Sequence, residues 1–496
     1  MGAGALDQTS YSLLEKAFAR KREFPAGIAD HSEQVKTDYI FLAYPGEKSD
    51  GRDFIPKAIS AGALVVVWEP EGFDWQEEWC IENVPIQDLR YKAGFVVNQF
   101  YKNPSEKMWV VGITGTNGKT SCATWIASCL NELNHPTANV GTMGCFFKSK
   151  KLESENTTPG PVMLNKTLDC FLKNGATGVA LEVSSHALSQ GRVTGVSFDT
   201  ALFTNLSRDH LDYHKTMDQY AREKRRLFFW ETLKTVVINS DDKFGVDLIK
   251  QLKASNVKII SYGRKTGDIR CGKMICSRLG MELHLNTPWG RTTIRTNIIG
   301  DHNVYNILGV FGVLMSKGLT IDSVSEALSL CRPVNGRMQA IRFPGAPLVV
   351  VDYAHTPDAM EQSLQSLAQL LRPEDRLHCV FGCGGDRDAG KRAEMGRVAT
   401  SLAHLCFITD DNPRFENSMS IIEDIVEGAD SNFVVEQDRA NAINRSISEA
   451  KPNDIVLIAG KGHESYQDIK NNKLPFSDEE VAEEILLKRT RGILNV

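Results

Sequence analysis

Gly112 to Ser121 read GITGTNGKTS, a run that brings together the groups a phosphate needs. Glycines at 115 and 118 let the backbone close tightly, Lys119 supplies a point charge, and the Thr120 hydroxyl can reach a divalent cation. The apolar run Met108 to Val111 precedes the loop and the helix-like CATWIASCLNEL follows it. Strand, glycine-rich turn and helix N-terminus in that order make a cradle for nucleotide phosphates, lined by Gly115, Thr116, Asn117, Gly118, Lys119, Thr120 and Ser121. The spacing is a variant, because the common P-loop pattern places a glycine where this chain has Ile113.

Three side chains downstream could face that cradle: Glu182 in LEVSSH, His210 in NLSRDHLDYH and Lys224 in AREKRRLFF. A carboxylate at the end of a parallel strand suits Mg²⁺, which takes hard oxygen donors and bridges to nucleotide phosphate. Each also has an ordinary reading: a helix cap, a loop histidine and a solvated helix face. Their joint occurrence after one phosphate loop favours the catalytic reading. Further on, Asp411 to Arg414 read DNPR and offer a guanidinium fork that can pair bidentately with a carboxylate.

The elements that position these groups alternate between strand and helix. In residues 1–105, DYIFLAY (Asp38 to Tyr44) and ALVVVW (Ala63 to Trp68) flank the amphipathic FIPKAISAG, which predicts a small α/β domain. KNPSEK, Lys102 to Lys107, is the expected linker. Residues 106–333 carry the phosphate loop, GVALEVSSH, TALFTNLS, a helix over Met217 to Trp230, and TVVINSDD. Short alternating strands follow between Lys258 and Ile298, then a helix from Asn303 to Met315. This pattern predicts a central doubly wound, mainly parallel sheet. CRPVNGR, Cys331 to Arg337, marks a second boundary. Residues 334–496 alternate again through LVVVDYAH, a helix over Pro357 to Leu371, HCVFGCGGDRD, LCFITDDNPR and DIVLIAGKGHE, which predicts a Rossmann-like third domain. Ligands of open α/β sheets bind at the carboxyl ends of strands, so these four tips define one site.

The strings TGTNGKTS, ENTTPG, EVSSHAL, FTNLSRDHLDYH, YAREKRRLF, INSDD, GDHNVYN, GRMQ, VDYAHTPDA, FGCGGDRD, DDNPR and AGKGHE run in one order through the chain. Together they resemble the Mur ligases, the ATP-dependent amide-forming enzymes of peptidoglycan precursor synthesis, with a weaker match over the first domain. The resemblance is strongest to the branch that adds the third residue of the stem peptide. It implies ATP and Mg²⁺, with Lys119 and Thr120 on the β- and γ-phosphates and a metal set of Thr120, Glu182, His210 and Lys224. Lys224 resembles the lysine that family members carbamylate, a change that turns a cation into an anionic oxygen ligand. Asn303 and Asn306 resemble adenine-side contacts, and Arg337 and Asp352 the nucleotide contacts of the hinge and third domain.

The resemblance also implies two organic partners. A UDP-N-acetylmuramoyl-dipeptide would be held by Ser32 in the first domain and by Asn156, Thr157, Thr158, Ser184, Gln190 and Arg192. Meso-diaminopimelate would be held by Arg387, Asp411, Asn412, Pro413, Arg414, Gly460 and Glu464. The first domain departs from the family pattern, with His31-Ser32-Glu33 in place of the common Asp-Ser-Arg and a loop, Gly46 to Gly51, that matches only in part. The implied reaction phosphorylates the γ-carboxylate of the D-glutamyl residue, and the incoming amine then attacks the acyl phosphate. His355 is a candidate base for that amine, and a loop histidine packed beside Tyr353 is the alternative. Closure of the third domain about Pro333 to Arg337 is expected to complete the site.

Composition bounds the remaining classes. A chain of 496 residues exceeds a single core, and 42% hydrophobic residues can fill several. A net charge of −5, from 57 basic and 62 acidic residues, argues against a broad nucleic-acid or anionic-membrane footprint. Eleven scattered cysteines without paired CxxC motifs point to reduced thiols in a cytoplasm, and a buried strand is favoured over a metal site at His378, Cys379 and Cys383. No apolar stretch approaches a membrane span, and MGAGALDQTS has no signal-peptide pattern, so a cytoplasmic protein is expected, with a monomer as the expected state. Three alternatives stand beside the main reading: the same ligase using L-lysine, a folylpolyglutamate synthetase-like ligase, and a nucleotide-binding protein without turnover.

Overall fold

The computed structural model describes residues 25–491 apart from 48 and 155, together with residues 11, 12, 14 and 15. The sequence reading of MGAGALDQTS, of Lys48 in the first-domain loop and of Glu155 in ENTTPG lies outside the described residues.

The first sheet is parallel, in the order β1 (Gly27–Ala29), β2 (Tyr39–Ala43), β3 (Ala63–Trp68) and β4 (Glu82–Pro85). Its two faces are covered by separate apolar clusters, one around Ile40, Val67 and Val97 and one around Phe41, Val66 and Trp68. A sheet buried on both faces explains why ALVVVW reads as a continuous apolar run.

The central sheet has eleven strands. They are β5 (Trp109–Thr114), β6 (Thr137–Gly141), β7 (Gly144–Phe147), β8 (Lys150–Leu152), β9 (Gly178–Glu182), β10 (Thr200–Phe203) and β11 (Thr235–Asn239), then β12 (Lys258–Gly263), β13 (Ile269–Ser277), β14 (Gly280–Thr287) and β15 (Gly290–Thr296). Their spatial order is β15-β14-β13-β12-β11-β10-β5-β9-β6-β7-β8. The middle is parallel and both ends are antiparallel hairpins, because two-residue turns at 278–279 and 288–289 leave no room for a crossover helix. Strand β5 sits between β9 and β10, so the phosphate loop, Glu182 and the loop leading to His210 emerge side by side.

The third sheet joins β16 (Gln339–Ile341), β17 (Leu348–Asp352), β18 (Leu377–Phe381), β19 (Leu405–Ile408), β20 (Phe433–Val435) and β21 (Ile455–Ala459) in the order β16-β17-β21-β18-β19-β20. Only β16 runs antiparallel. A hairpin of β22 (Tyr466–Ile469) and β23 (Asn472–Pro475) follows. The three sheets form a three-layered α/β architecture in each body, in agreement with the predicted fold class.

Two helices differ from the sequence reading. The expected helix Met217 to Trp230 is α-helical only over Met217–Arg225 and tightens to a 3₁₀ turn over Arg226–Phe229, which turns Leu227 and Phe228 into the core. The helix from Pro357 ends at Ala368, three residues before Leu371. Helix Asp301–Ser316, by contrast, extends beyond the expected span at both ends. His378 and Cys379 are buried strand residues of β18, and all eleven cysteines are free.

Candidate active site

Helix Lys119–Glu132 begins where Gly118 takes φ 85°, a left-handed conformation that aims the first helical N–H groups into the loop. A Cβ at 118 would lie 2.2 Å from Asn306 Oδ1, so glycine is also required by close packing. Asn306 Nδ2 donates to Asn303 Oδ1 at 3.0 Å and Asn303 Nδ2 donates to Ile299 O at 2.8 Å. The two asparagines therefore brace the loop from behind. Asn117 N donates to Asn205 Oδ1 at 2.9 Å and Thr116 Oγ1 meets Tyr220 Oη at 3.2 Å, which fixes the other side.

Glu182, at the end of β9, is almost wholly buried. Its carboxylate accepts from Thr120 Oγ1 at 3.0 Å, Thr142 N at 2.9 Å and Thr142 Oγ1 at 3.2 Å. Burial pushes its pKa up, and the nearby Lys119 opposes that rise. A Cβ at Gly141 would come within 2.1 Å of Glu182 Oε1, so the neighbouring strand has to end in glycine for this carboxylate to fit. Lys119 Nζ donates to Gly115 O and Thr116 O, each at 2.8 Å, and burial lowers its pKa.

Lys224 is buried beneath the same loop, 1% exposed. Its Nζ donates to Gly115 O at 2.7 Å and lies 4.4 Å from the Tyr220 ring centroid. Burial, reinforced by Lys119, holds the ammonium well below its ordinary pKa. His210 takes φ 55°, its side chain is partly open, and burial of the ring depresses its pKa although the adjacent Asp209 opposes this. The His186 ring lies 4.8 Å from that of His210, and His214 Nε2 is 2.9 Å from Ser185 Oγ. Among the described residues no three His, Cys, Asp or Glu side chains gather as a metal site, so a metal set here depends on Thr120 and Lys224 as well.

A cavity of about 1130 Å³ opens between the central and third sheets. From the central domain it is lined by Lys119, Asn156, Thr157, Ser184, Arg192, His210 and Lys224. The third domain contributes His355, Arg387, Asp411, Asn412, Arg414, Gly460 and Glu464. Most of the expected substrate and amino-acid residues, though not Ser32, Thr158, Gln190 or Pro413, thus line one space from two sheets. Glu182, Thr120 and Thr158 stand just behind its wall, Thr158 Oγ1 donating to Glu182 O at 2.8 Å. Arg192 Nη1 donates to Thr158 O at 3.0 Å and its Nε to Gln190 Oε1 at 2.7 Å.

Some expected residues lie elsewhere. Ser32 opens a 3₁₀ turn in the first domain and does not line this cavity. Gln190 points to the first domain instead, donating to Glu47 Oε1 at 2.7 Å beside Tyr213 Oη at 2.8 Å from the same oxygen. Asp352 accepts from Met338 N at 3.1 Å, Tyr353 N at 2.9 Å and Ser363 Oγ at 2.6 Å, so its carboxylate fixes the chain just after the boundary. Arg337 stacks on Tyr353, 4.4 Å from the ring centroid, while its buried Nε has no partner. His302 Nδ1 and His463 Nδ1 are likewise buried and unpartnered, and both rings sense the Arg337 charge.

At the third-domain tips, Asn412 joins two loops: its Oδ1 accepts from Lys461 Nζ at 2.8 Å and Asp468 N at 2.9 Å, and its Nδ2 donates to Glu464 Oε2 at 2.8 Å. Lys461 is fully buried and was not singled out in the sequence, where a lysine between glycines reads as solvated. Pro413 is buried against Gly385, and Arg414 takes φ 52° with Nη1 on Gly385 O. His355 Nδ1 lies 2.8 Å from Tyr353 O, a pure acceptor, so Nδ1 carries the proton and Nε2 keeps a lone pair. Thr142, Asp209, His186, Lys391 and Tyr353 also line the cavity or its rim without any sequence signal of their own, since their partners come from other strands.

Three family models match the chain in order: "Mur ligase family, catalytic domain" over residues 26–101, "Mur ligase middle domain" over 113–314 and "Mur ligase, glutamate ligase domain" over 336–462. The UDP-N-acetylmuramoyl-L-alanyl-D-glutamate--2,6-diaminopimelate ligase of Neisseria meningitidis serogroup B is 46% identical over 470 residues, covering 94% of this chain and 96% of that protein. The ligase of the same name from Chromobacterium violaceum is 45% identical over 457 residues, covering 92% and 93%. A solved structure of a ligase with this name superposes with a TM-score of 0.70 at 33% identity, covering 95% of this chain and 96% of that one. Domain models along most of the chain and relatives alike over nearly its whole length establish that the protein belongs to the Mur ligase family.

Proposed function

We propose that the protein is the ATP-dependent ligase that joins meso-diaminopimelate to the D-glutamyl γ-carboxylate of UDP-N-acetylmuramoyl-L-alanyl-D-glutamate, a step in peptidoglycan precursor synthesis. One observation carries the reading: a single cavity is lined by Lys119 of the phosphate loop on one side and by Arg387, Asp411, Asn412 and Arg414 on the other. Phosphoryl transfer and amide formation need these two half-sites to face one another.

ATP would lie along Gly115 to Ser121, its phosphates met by helix N–H groups and Lys119. The buried, unpartnered Arg337 Nε, His302 Nδ1 and His463 Nδ1 fit the nucleoside end of such a ligand. Mg²⁺ would be held by Thr120, Glu182, His210 and Lys224 in carbamylated form, and would neutralise charge on the transferring phosphoryl group. The residues fit that set: Glu182 and Thr120 are already hydrogen-bonded together, and Lys224 is buried where an anionic oxygen ligand, not an ammonium, would be useful.

Asn156, Thr157, Ser184 and Arg192 would hold the muramoyl-dipeptide with its γ-carboxylate toward Lys119. The carboxylate oxygen attacks the γ-phosphorus of ATP and ADP leaves, giving an acyl phosphate. The diaminopimelate amine then adds to the acyl carbon, His355 Nε2 takes its proton, and phosphate departs. Arg414 would pair with the distal carboxylate, which lysine lacks. No helix among the described residues is long and apolar enough to cross a membrane. We further propose a cytoplasmic monomer. Incubation with ATP, Mg²⁺ and the UDP-dipeptide tests the reading: a product mass increased by diaminopimelate and not by L-lysine is expected. Product with lysine alone would reject the selector, and no product with either would reject the ligase reading.

A further inference from the structure

The amino-acid half-site is built on the tips of β19 and β21, and these two strands are not neighbours, since β18 lies between them. Two strand spacings separate them, roughly 9.5 Å, and no ladder hydrogen bond joins their tips. A side chain spans the gap from behind. Arg439, the first residue of helix Arg439–Glu449, is entirely buried, as is its partner Asp478 at the start of helix Asp478–Thr490. Arg439 Nε donates to Asp478 Oδ1 and Nη2 to Asp478 Oδ2, each at 2.7 Å. The same guanidinium then donates from Nη1 to Asp410 O at 3.2 Å and from Nη2 to Ala459 O at 2.9 Å.

Those two carbonyls belong to the residues immediately before Asp411 and Gly460. On the cavity side, Lys461 Nζ and Asn412 tie the same two loops a second time. The fork is rigid and planar, and only arginine can hold a carboxylate bidentately while reaching two further acceptors. A buried ion pair is weak as a source of stability, because desolvation offsets the attraction, so its use here is geometric.

We infer that Arg439, held by Asp478, is a positioning residue that sets the distance between the DNPR loop and the Gly460–Glu464 loop, and thereby the fit of the amino-acid substrate. This inference rests on the reading of that half-site given above. The test is steady-state kinetics of full-length Arg439→Lys, with the double variant R439M/D478L as a second case in which the pair is replaced by apolar groups of similar size. Expected is a fall in kcat/KM for diaminopimelate of about 10²-fold, the effect of an ångström-scale misplacement, carried mainly by KM. KM for ATP and for the UDP-dipeptide should stay within about twofold, since those sites rest on other strands. An unchanged KM for diaminopimelate in either folded variant overturns the inference, and so does an equal rise in all three KM values or failure of both variants to fold, each of which makes the pair merely structural. Wild-type protein run alongside separates the two claims: its inactivity would sink the ligase reading itself, whereas active wild type with unaffected variants sinks only the role of Arg439.

Discussion

Arg414→Ala isolates one side chain with little disturbance around it. The backbone of Arg414 is clamped on both sides, its N–H donating to Asp468 O at 3.0 Å and its carbonyl accepting from Lys470 N at 2.9 Å. Its φ of 52° costs alanine about as much as arginine, so the exchange adds no backbone strain. What disappears is a guanidinium able to make two charge-assisted hydrogen bonds to the distal carboxylate, each about 1.5–3 kcal/mol. Taking the lower value for both gives about 3 kcal/mol, roughly 150-fold in kcat/KM. L-lysine has no carboxylate at that position, so the residual turnover it supports, if any is detected, should change by no more than a few fold. The assay is phosphate release with each amino acid at saturating ATP and UDP-dipeptide, and the discriminating quantity is the ratio of the two kcat/KM values. A ratio that survives Arg414→Ala would refute the argument and move selection to Arg387 or Lys473, which line the same cavity.

Lys224→Ala is expected to abolish turnover, with partial recovery on adding bicarbonate or a short-chain carboxylic acid; full activity without addition would count against the carbamate. Gly118→Ala places a Cβ 2.2 Å from Asn306 Oδ1 at φ 85°, and ATP titration should show affinity weakened about tenfold or more, with unchanged affinity opposing the proposed cradle. His214 is held down to about 4 by burial, against 6.5 for the free side chain. Because its folded value is the lower one, the unfolded chain takes up the proton first, so stability is whole above pH 6.5 and is lost as pH falls from 6.5 to about 4. Melting temperatures should decline through that window and less so in His214→Asn; identical slopes in the two proteins would rule the histidine out. Solution scattering should show a more compact particle with nucleotide and UDP-dipeptide bound, and superposable profiles would exclude closure about residues 333–337.

The elements were legible because periodicity survives in the sequence. A continuous apolar run followed by a glycine-rich or polar tip marked β5, β9, β17, β18, β19 and β21, and those tips do face one cavity. What could not be read was how groups on different strands meet. Thr142 follows β6, yet it gives Glu182 two of its three donors. The family resemblance made Asp352 a nucleotide contact, but two backbone N–H groups and Ser363 engage it here, and backbone donors leave no trace in a sequence. The family resemblance grouped Gln190 with the substrate ligands, while the structure pairs it with Glu47 of the first domain, 143 residues away. Arg439 and Lys461 drew no reading from the sequence, because burial of a charge depends on a partner that only the tertiary fold supplies.

Among the buried cations of the described residues, Arg439, Lys461 and Lys224 have different surroundings, and the difference bears on chemistry. Removing a cation from water costs several kcal/mol, so each must be answered by the protein around it. Arg439 meets a full carboxylate in bidentate contact and two carbonyls. Lys461 meets Asn412 Oδ1 at 2.8 Å and Glu464 Oε2 at 3.3 Å. Lys224 meets one backbone carbonyl and the face of Tyr220, with Lys119 repelling it. The first two each meet a carboxylate oxygen and tie loops together. The third is an amine whose ammonium form the surroundings disfavour, and a neutral amine is the form that adds carbon dioxide. The carbamate so formed would carry an oxygen anion next to the phosphate loop, opposite in sign to the group it replaces. That inversion of charge would suit Lys224 to the proposed hard-cation site, where an ammonium would not serve.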